Sequence, residues 1–287
     1  MKGELEAALS AALDSTPERV TELEGGMIGS VFRVALEDGR TVVAKTGETP
    51  LETEAFMLRY LADEGDLHVP DVYHASDDLL VLEHVAGATA HDDRVARDAA
   101  IHLASLHEIS EDGFGFPRDT LTGPVRQPNQ WTDSWLEFYR DQRLRHVASL
   151  AADPRRGSGI LPSDTRSRVE AVADDLEALL EGHATEPSLI HGDVWRTNIL
   201  SRGGWVTAFL DPATYYADPE IELAYVDWTD TFGSAFFDAY ERRRGIRDGF
   251  WNRRRFVYRL YPLLVHVHLF GGAYLDELEG TLTGLGY

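Results

Sequence analysis

Hydrophobic and polar positions alternate over short runs in the first third of the chain, a spacing typical of strands with one buried face. Val31–Leu36 and Thr41–Lys45 are two such runs. The acid-glycine turn at 37–40 between them predicts a β-hairpin. Val72–His74 and Leu79–Glu83 predict two further strands.

Two segments of the same region place their apolar residues at helical spacing instead. Residues 3–13 are rich in Ala, Leu and Glu, and residues 51–62 carry Leu51, Ala55 and Leu58 on or near one face. Most of the first 85 residues therefore predict a small sheet with one inserted helix.

The pattern becomes helical after residue 86. Helices are predicted over Arg94–Leu106, Trp131–Ala152, Ser163–Glu181 and from about residue 220 to the end, with short strands at Ser188–Ile190 and Val206–Leu210. The chain thus predicts an α+β protein with an N-terminal lobe, 1–85, and a larger, mostly helical C-terminal lobe, 86–287. Ligands usually bind in the cleft between two such lobes.

Charge narrows the range of partners. The chain has 49 acidic and 27 basic residues and a formal net charge of −22. Nucleic acids and anionic lipids are bound through basic surfaces, so neither is an expected partner. The absence of cysteine excludes disulfides, thiolate nucleophiles and cysteine-based metal sites. The acidic excess is open to two interpretations, adaptation to high salt or ordinary acidity with an arginine-rich codon bias.

No segment has the pattern of a targeting signal or a membrane span. The first residues include two early acids and lack an apolar signal core. The longest uncharged run, Leu260–Leu275, is shorter than a spanning helix and contains Pro262. It predicts a buried helix, and the expected location of the protein is the cytoplasm.

The strongest chemical signal is the segment His191–Asn198 with Asp211 after the next strand. Phosphoryl transfer needs one aspartate at the acceptor hydroxyl, and an asparagine and a second aspartate at Mg²⁺. This assigns Asp193 as the catalytic base, and Asn198 and Asp211 as metal ligands. The alternative is a structural turn in which Asp193 caps the backbone.

A glycine turn precedes the first hairpin and predicts a backbone cradle for phosphates. The residues assigned to it are Gly25, Gly26, Gly29 and Ser30. A P-loop is excluded because no Gly-Lys-Ser/Thr follows. Taken alone, the turn is a weak signal, since glycine turns are common in hairpins.

Lys45 ends the second strand, where kinases place the lysine that pairs with nucleotide phosphates. Only two of the basic residues are lysine, Lys2 and Lys45. A lysine kept in an arginine-rich chain indicates a site where a guanidinium would not fit. Glu54 on the following helix is its expected partner, with Glu52 as the rival.

Over residues 20–275 the chain resembles the fructosamine kinase, or ketosamine 3-kinase, family, which is related to aminoglycoside phosphotransferases and choline kinases. The general kinase part of the resemblance lies in the glycine turn, Lys45, Glu54, the His191–Asn198 segment and Asp211. The narrower part lies in Leu103–His107, Phe114–Phe116, Gln127–Trp131, Ser134-Trp135, Phe138, Arg143-Leu144, Trp195, Asp211–Ala213, Tyr215-Tyr216 and Glu220–Ala224.

The resemblance implies a two-lobed protein-kinase-like fold and ATP-dependent phosphorylation of a ketosamine, free or protein-bound, at a sugar hydroxyl, with deglycation as the outcome. ATP and Mg²⁺ are the expected cofactors, and a monomer or homodimer is expected. Adenine is expected near Glu83 and Val85. Trp195 and Trp131 are candidates for contact with the acceptor, although a tryptophan at helical spacing to another, as Trp131 is to Trp135, is more often a core residue.

Arg196-Thr197, Glu222 and the 217–219 turn depart from the family pattern. These departures lie where the acceptor is expected and leave its identity open. The alternatives are a kinase of the same fold acting on an aminoglycoside, a choline-like alcohol or another sugar, and a nucleotide-binding module without catalysis.

Overall fold

The computed structural model describes residues 2–23, 29–47, 49–153, 155, 161–180 and 185–287. Its N-terminal region is an antiparallel sheet with strand order β1-β2-β3-β5-β4. The strands are β1 (Pro17–Leu23), β2 (Gly29–Leu36), β3 (Thr41–Gly47), β4 (Val72–Ala75) and β5 (Leu80–Glu83).

Alternating side chains give this sheet two buried faces. Val34, Leu36, Val42 and Ala44 lie on the face covered by helix α1 (Lys2–Leu13), which contributes Leu5 and Leu9 to the same cluster. The period-2 pattern of β2 and β3 therefore sets both the hairpin and the face on which α1 packs.

Helix α2 (Leu51–Glu64) covers the other face and also reaches the remainder of the chain. Leu51, Ala55 and Leu58 pack on Leu80 and Leu82 of the sheet. Met57 and Leu61 of α2 belong instead to the main core cluster formed largely by later helices. One amphipathic helix thus contacts both parts of the molecule.

The rest of the chain is largely helical, which confirms the predicted α+β class. The helices are α3 (Asp93–Leu106), α4 (Trp135–Phe138), α5 (His146–Ala151), α6 (Ser163–Asp174), α7 (Leu176–Leu179), α8 (Glu220–Trp228), α9 (Ser234–Arg243), α10 (Arg255–Phe270) and α11 (Ala273–Leu285). The boundary between lobes at residue 85 stays a prediction.

The single helix predicted over Trp131–Ala152 was wrong in two respects. Trp131 and Thr132 are extended, since Thr132 bridges Phe114, and the helix begins only after Ser134. Its middle, Tyr139–Arg145, is a π-helix that joins α4 to α5. Ser134 caps the first turn by accepting a hydrogen bond from the Glu137 amide, which explains the late start.

In the C-terminal region, short strands between the helices pair with one another. β6 (Thr120–Thr122) pairs with β7 (Val125–Gln127), and β8 (Ser188–Ile190) with β11 (Tyr215–Ala217). β9 (Ile199–Arg202) and β10 (Trp205–Phe209) form a hairpin. The sequence predicted β8 and β10 and missed their partners, because strands of three or four residues leave too few alternations to recognise.

The uncharged run predicted as one buried helix is divided by a turn. It spans the end of α10 and the start of α11, and Gly271 and Gly272 between them have positive φ. In the described part of the chain, no helix is long and apolar enough to cross a membrane.

A buried ion cluster fixes the segment that follows β11. Arg254 donates to both oxygens of Glu220, at 2.6 and 3.0 Å, and Arg247 donates to both oxygens of Asp218. Arg254 and Glu220 are 2% and 3% exposed. A run of three arginines, such as 253–255, is typical of a solvated helix face, but Arg254 is buried. The guanidinium is kept in the interior by a bidentate carboxylate.

Replacing Arg254 with Met should lower the free energy of unfolding by about 3 kcal/mol, because Glu220 loses a buried counter-charge. Arg247 still contacts Glu220, so the loss stays at the lower end of the range for broken buried pairs. Denaturant unfolding measures it, with the exposed Arg242→Met as the matched control, expected within about 0.5 kcal/mol of wild type. Equal effects of the two changes would contradict a buried pair.

Candidate active site

Lys45 joins the sheet, helix α2 and a loop of the C-terminal region. It lies on β3 between Val31 and Leu80 of the neighbouring strands. Its Nζ contacts Glu54 Oε1 at 2.7 Å and also contacts Asp211 Oδ1. The expected partner Glu54, in the first turn of α2, is therefore the residue that the structure brings to Lys45.

The three charges of this cluster depend on one another. Burial alone would lower the pKa of Lys45, but the carboxylates of Asp211 and Glu54 outweigh it and the pKa rises. Burial likewise acts to raise the pKa of Asp211, and the Lys45 ammonium reverses this, so that the pKa falls. The result is a lysine held as a cation and an aspartate held as an anion. The Asp211 side chain is 49% exposed, so it is accessible to a ligand.

The loop after β8 carries Asp193 and Asn198. The Asn198 Nδ2 donates to the Asp193 carboxylate Oδ2 at 2.8 Å and to the Asp193 carbonyl at 3.1 Å. Asn198 ends a short 3₁₀ turn, Arg196–Asn198, just before β9. The segment between Asp193 and Asn198 therefore folds back on itself, and the Asn198 side chain orients the Asp193 carboxylate.

The Asp193 carboxyl has the electrostatics of a proton acceptor near neutral pH. Burial raises its pKa to about 7, and the nearby charges of Asp211 and Glu222 add to the rise. Hydrogen bonds from the Tyr225 hydroxyl and Asn198 act in the opposite direction. A general base is most effective when its pKa lies near the working pH.

Gly192 allows the two loops to touch. Its φ is +87°, and a Cβ built on it would lie 2.2 Å from the Ala213 carbonyl oxygen. The Ala213 amide donates to the His191 carbonyl at 2.8 Å. Asp211, two residues earlier, is also in the left-handed region with φ of +53°. Backbone strain of this kind is typical of functional loops.

Glu222 on α8 supports the backbone of the loop after β8, residues 191–198, which is called here the catalytic loop. Its Oε1 accepts from the Gly192 amide at 2.5 Å, and its Oε2 accepts from the His191 amide at 3.3 Å. His107 contacts the same Oε2 at 2.8 Å and the Tyr240 hydroxyl at 2.7 Å. Glu222 is 2% exposed and hydrogen-bonds both to this loop and to His107 at the end of α3. The departure from the family pattern at this position thus affects loop support directly.

Asn198 and Asp211 have the chemistry of a divalent-cation site. The Asn198 amide nitrogen is engaged by Asp193, so its amide oxygen is the atom that can serve as a ligand. Asp211 offers a partly exposed carboxylate in anionic form. Two hard oxygen ligands supplemented by phosphate oxygens suit Mg²⁺.

The structure describes only some of the other residues predicted to contact the nucleotide. Gly29 and Ser30 begin β2, and a Cβ on Gly29 would lie 2.3 Å from the Thr46 carbonyl oxygen of β3, which requires glycine there. Gly25 and Gly26 lie outside the described residues. Glu83 ends β5, and its amide donates to the Asp71 carbonyl at 2.8 Å.

The connection after Val85 is fixed to the β9–β10 hairpin. Ala88 and Ser201 exchange backbone hydrogen bonds of 2.9 Å, and the Thr207 hydroxyl donates to the Ala86 carbonyl. A Cβ on Gly87 would lie 2.8 Å from Leu200 Cβ. The hairpin therefore sets how the segment with Glu83 and Val85 meets the C-terminal region.

The two tryptophans assigned to the acceptor are placed differently. Trp195 lies in the catalytic loop next to the 3₁₀ turn and is partly exposed. Trp131 is 47% exposed, and its ring lies 5.9 Å from that of Tyr216 and against Gly115. Trp135, by contrast, is 3% exposed in the core. Contact of Trp195 or Trp131 with an acceptor stays a prediction.

Sequence reasoning missed two residues close to the base. Tyr225 on α8 is hydrogen-bonded to Asp193. Gln127, noted only as part of the family resemblance, donates to the Ala213 carbonyl at 3.3 Å and accepts from the Tyr261 hydroxyl at 2.6 Å. Local spacing gives no signal for either role, because both depend on which loop packs against α8 or β7.

Comparison with known proteins agrees with this geometry. The family model described as Fructosamine kinase matches residues 1–285. A protein assigned as a ketoamine kinase from Synechocystis sp. is 34% identical over 238 residues, 80% of this chain and 77% of the relative. The crystal structure of a protein assigned as fructosamine-3-kinase from Thermobifida fusca is 28% identical with a TM-score of 0.86, covering 98% of both chains.

The fold extends to more distant kinases. The aminoglycoside phosphotransferase APH(4)-Ia is 18% identical with a TM-score of 0.68, covering 99% of both chains, a likeness that shows the fold alone. The predicted two-lobed, protein-kinase-like fold is confirmed. The family match over nearly the entire sequence establishes that this chain belongs to the fructosamine kinase family.

Proposed function

We propose that the protein transfers the γ-phosphoryl group of ATP to a sugar hydroxyl of a ketosamine. The observation that carries the proposal is the position of Asp193, whose carboxyl group is hydrogen-bonded by Asn198 and close to Asp211. Asp211 is in turn in contact with Lys45. A proton acceptor, a cation site and a phosphate-binding lysine thus lie in one connected cluster.

Each residue has a separate task in the transfer. Asp193 accepts the proton of the acceptor hydroxyl, whose oxygen forms the new bond to the γ-phosphorus while the bond to ADP breaks. Lys45 binds the α- and β-phosphates, and Glu54 keeps it in place. Phosphate oxygens take over the contact that Lys45 makes with Asp211 when the nucleotide binds. Positioning and charge supply most of the rate in such reactions.

Asn198 and Asp211 would hold Mg²⁺, which neutralises phosphate charge when bound. The protein contributes two fixed oxygens to it. Asn198 is oriented by Asp193, and Asp211 is kept ionised by Lys45. Gly29 and Ser30, with Gly25 and Gly26, would cover the triphosphate through backbone amides. Adenine would lie along the Glu83–Val85 segment.

The family match and the name of the Synechocystis relative favour a ketosamine acceptor. Fructosamines and ribulosamines, free or attached to a protein amine, are the proposed acceptors. Phosphorylation at the 3-hydroxyl makes such an adduct decompose and release the amine, so the proposed role is deglycation.

A ketosamine panel with an ADP-release assay tests the function. Wild type should phosphorylate at least one fructosamine or ribulosamine, and Asp193→Asn should reduce kcat by roughly 10²- to 10⁴-fold, the usual contribution of a general base. Asp164→Asn, at an exposed position of α6, is the matched control and should keep full activity. Turnover only on an aminoglycoside or a choline-like alcohol would replace the ketosamine assignment. Nucleotide binding without turnover on any acceptor would contradict the kinase proposal.

The pH dependence should follow the raised pKa of Asp193. Only the ionised carboxylate accepts the hydroxyl proton, so kcat/KM should rise with pH through about 7 and then level off. The profile should be measured with ATP far below its KM, where it reports the free enzyme. A limb that ends near pH 4 would mean that Asp193 is not desolvated.

The contribution of Asp193 to the stability of the fold should fall with rising pH, whereas kcat/KM should rise. The folded state keeps the Asp193 proton to a higher pH than the unfolded chain, so this group's contribution is lost as pH rises from about 4 to 7. Asp193→Asn should therefore raise Tm relative to wild type at pH 8 and not at pH 4.

Lys45→Met should reduce kcat by on the order of 100-fold or more, because a preorganised charge at the phosphates is lost. Lys2→Met, at the only other lysine of the sequence, is the matched control and should retain activity. Circular dichroism should show the same fold for both variants. Normal turnover of Lys45→Met would remove Lys45 from the site.

A further inference from the structure

A cavity opens beside the proposed base, Asp193. It lies between the catalytic loop and helices α8 and α10, and its space, counting the part open to solvent, is about 440 Å³. Asp193 and Glu222 contribute carboxylates to its wall, and Tyr225, Tyr261 and His266 contribute rings.

The polar groups in the wall of this cavity are mainly hydrogen-bond acceptors and carboxylates. No lysine or arginine occurs among the described residues that line it. The His266 Nδ1 lies 2.8 Å from the Pro262 carbonyl oxygen, so it carries the proton and leaves Nε2 as an acceptor. Burial lowers the pKa of His266, which keeps its ring neutral. The wall therefore suits a cationic donor better than an anion.

Aromatic rings continue from the cavity to the surface. Trp228 lies 5.9 Å from Tyr225 and 5.0 Å from His266, measured between ring centroids. Tyr274 lies 4.7 Å from His266 and 5.9 Å from Phe270, which is 47% exposed. Together, Trp228, His266, Phe270 and Tyr274 form what is called here the aromatic strip.

An acidic side chain flanks the aromatic strip. The Trp228 Nε1 donates to Glu277 Oε1 at 2.7 Å, which fixes the indole and places a carboxylate at its edge. Glu277 is exposed on α11. Aromatic faces with neighbouring carboxylates and no opposing cation bind organic ammonium groups through cation–π and charge attraction.

We propose that the cavity binds the protonated nitrogen of the ketosamine and that the aromatic strip binds the substituent on this nitrogen. The inference rests on the proposed function, which places the reacting hydroxyl at Asp193. In a ketosamine the nitrogen is only a few covalent bonds from the 3-hydroxyl, so a nitrogen in the adjoining cavity is compatible with transfer. The substituent then points along the strip to solvent, where a protein-bound amine continues into its chain.

The first measurement concerns charge. Wild type should phosphorylate an N-methyl ketosamine with roughly tenfold higher kcat/KM than its uncharged N-acetylated derivative, the effect of a partly desolvated cation on aromatic rings. Equal values would overturn the nitrogen subsite while leaving the kinase function intact. Turnover of neither compound would reject the proposed function and the subsite with it.

The second measurement concerns the substituent. Wild type should prefer the N-benzyl to the N-methyl ketosamine of the same sugar, because a benzyl group buries its apolar surface on the rings. Phe270→Ala and Trp228→Leu should each lower this benzyl-to-methyl ratio several-fold, and Trp228→Phe should restore most of it. Phe270 is exposed at the end of α10, so its change tests the strip even where Trp228→Leu unfolds the protein.

Trp205→Leu is the matched control. Trp205 is 57% exposed on β10 and packs on Arg94, and its loss should leave the benzyl-to-methyl ratio unchanged. A ratio that stays at the wild-type value in Phe270→Ala and Trp228→Leu would overturn the strip. So would a ratio that falls equally in Trp205→Leu, since that would indicate a general loss of stability.

Discussion

The alignment of the N-terminal sheet with the C-terminal loops at the candidate active site depends on the contact of Lys45 with Glu54 and Asp211. This contact ties a strand of the N-terminal sheet, helix α2 and a loop of the helical region to one ammonium group. Helix α2 reinforces the tie, since it packs on the sheet with one face and on the main core with another. A Tyr60–Tyr216 hydroxyl contact of 3.0 Å adds a polar link between α2 and β11. The two parts of the chain are thus aligned where phosphates would lie.

Three carboxylates have separate tasks within the C-terminal region. Glu222 supports the backbone of the catalytic loop, Asp193 is the proposed base, and Asp211 is held as an anion by Lys45. The carboxyl group therefore has three electrostatic environments within one site. The raised pKa of Asp193 follows from burial without a cation of its own, in contrast to Asp211.

The chain is strongly acidic and ATP is also an anion, so the site has to supply positive charge locally to bind the nucleotide. In the proposed function, Lys45, the backbone amides of the glycine turn and a divalent cation would supply the positive field on the nucleotide side. The cavity beyond Asp193 has the opposite character, with carboxylates and aromatic rings in its wall. A base between these two environments would receive a triphosphate from one side and an ammonium-bearing sugar from the other, each matched to its surroundings.

The sequence by itself determined the β2–β3 hairpin, the α2 amphipathic face, the helical C-terminal region and the family. It also named Lys45, Glu54, Asp193, Asn198 and Asp211, since short spacings and strand ends carry that information. Only the tertiary structure decided that Trp131 is outside the helix and that Arg254 is buried against Glu220. It also decided that Glu222 and Tyr225 contact the catalytic loop and that Gln127 contacts Ala213. The physical reason is that local spacing encodes which face of an element is apolar. The partners of a buried charge or hydroxyl come from elements distant in the chain, and packing alone brings them together.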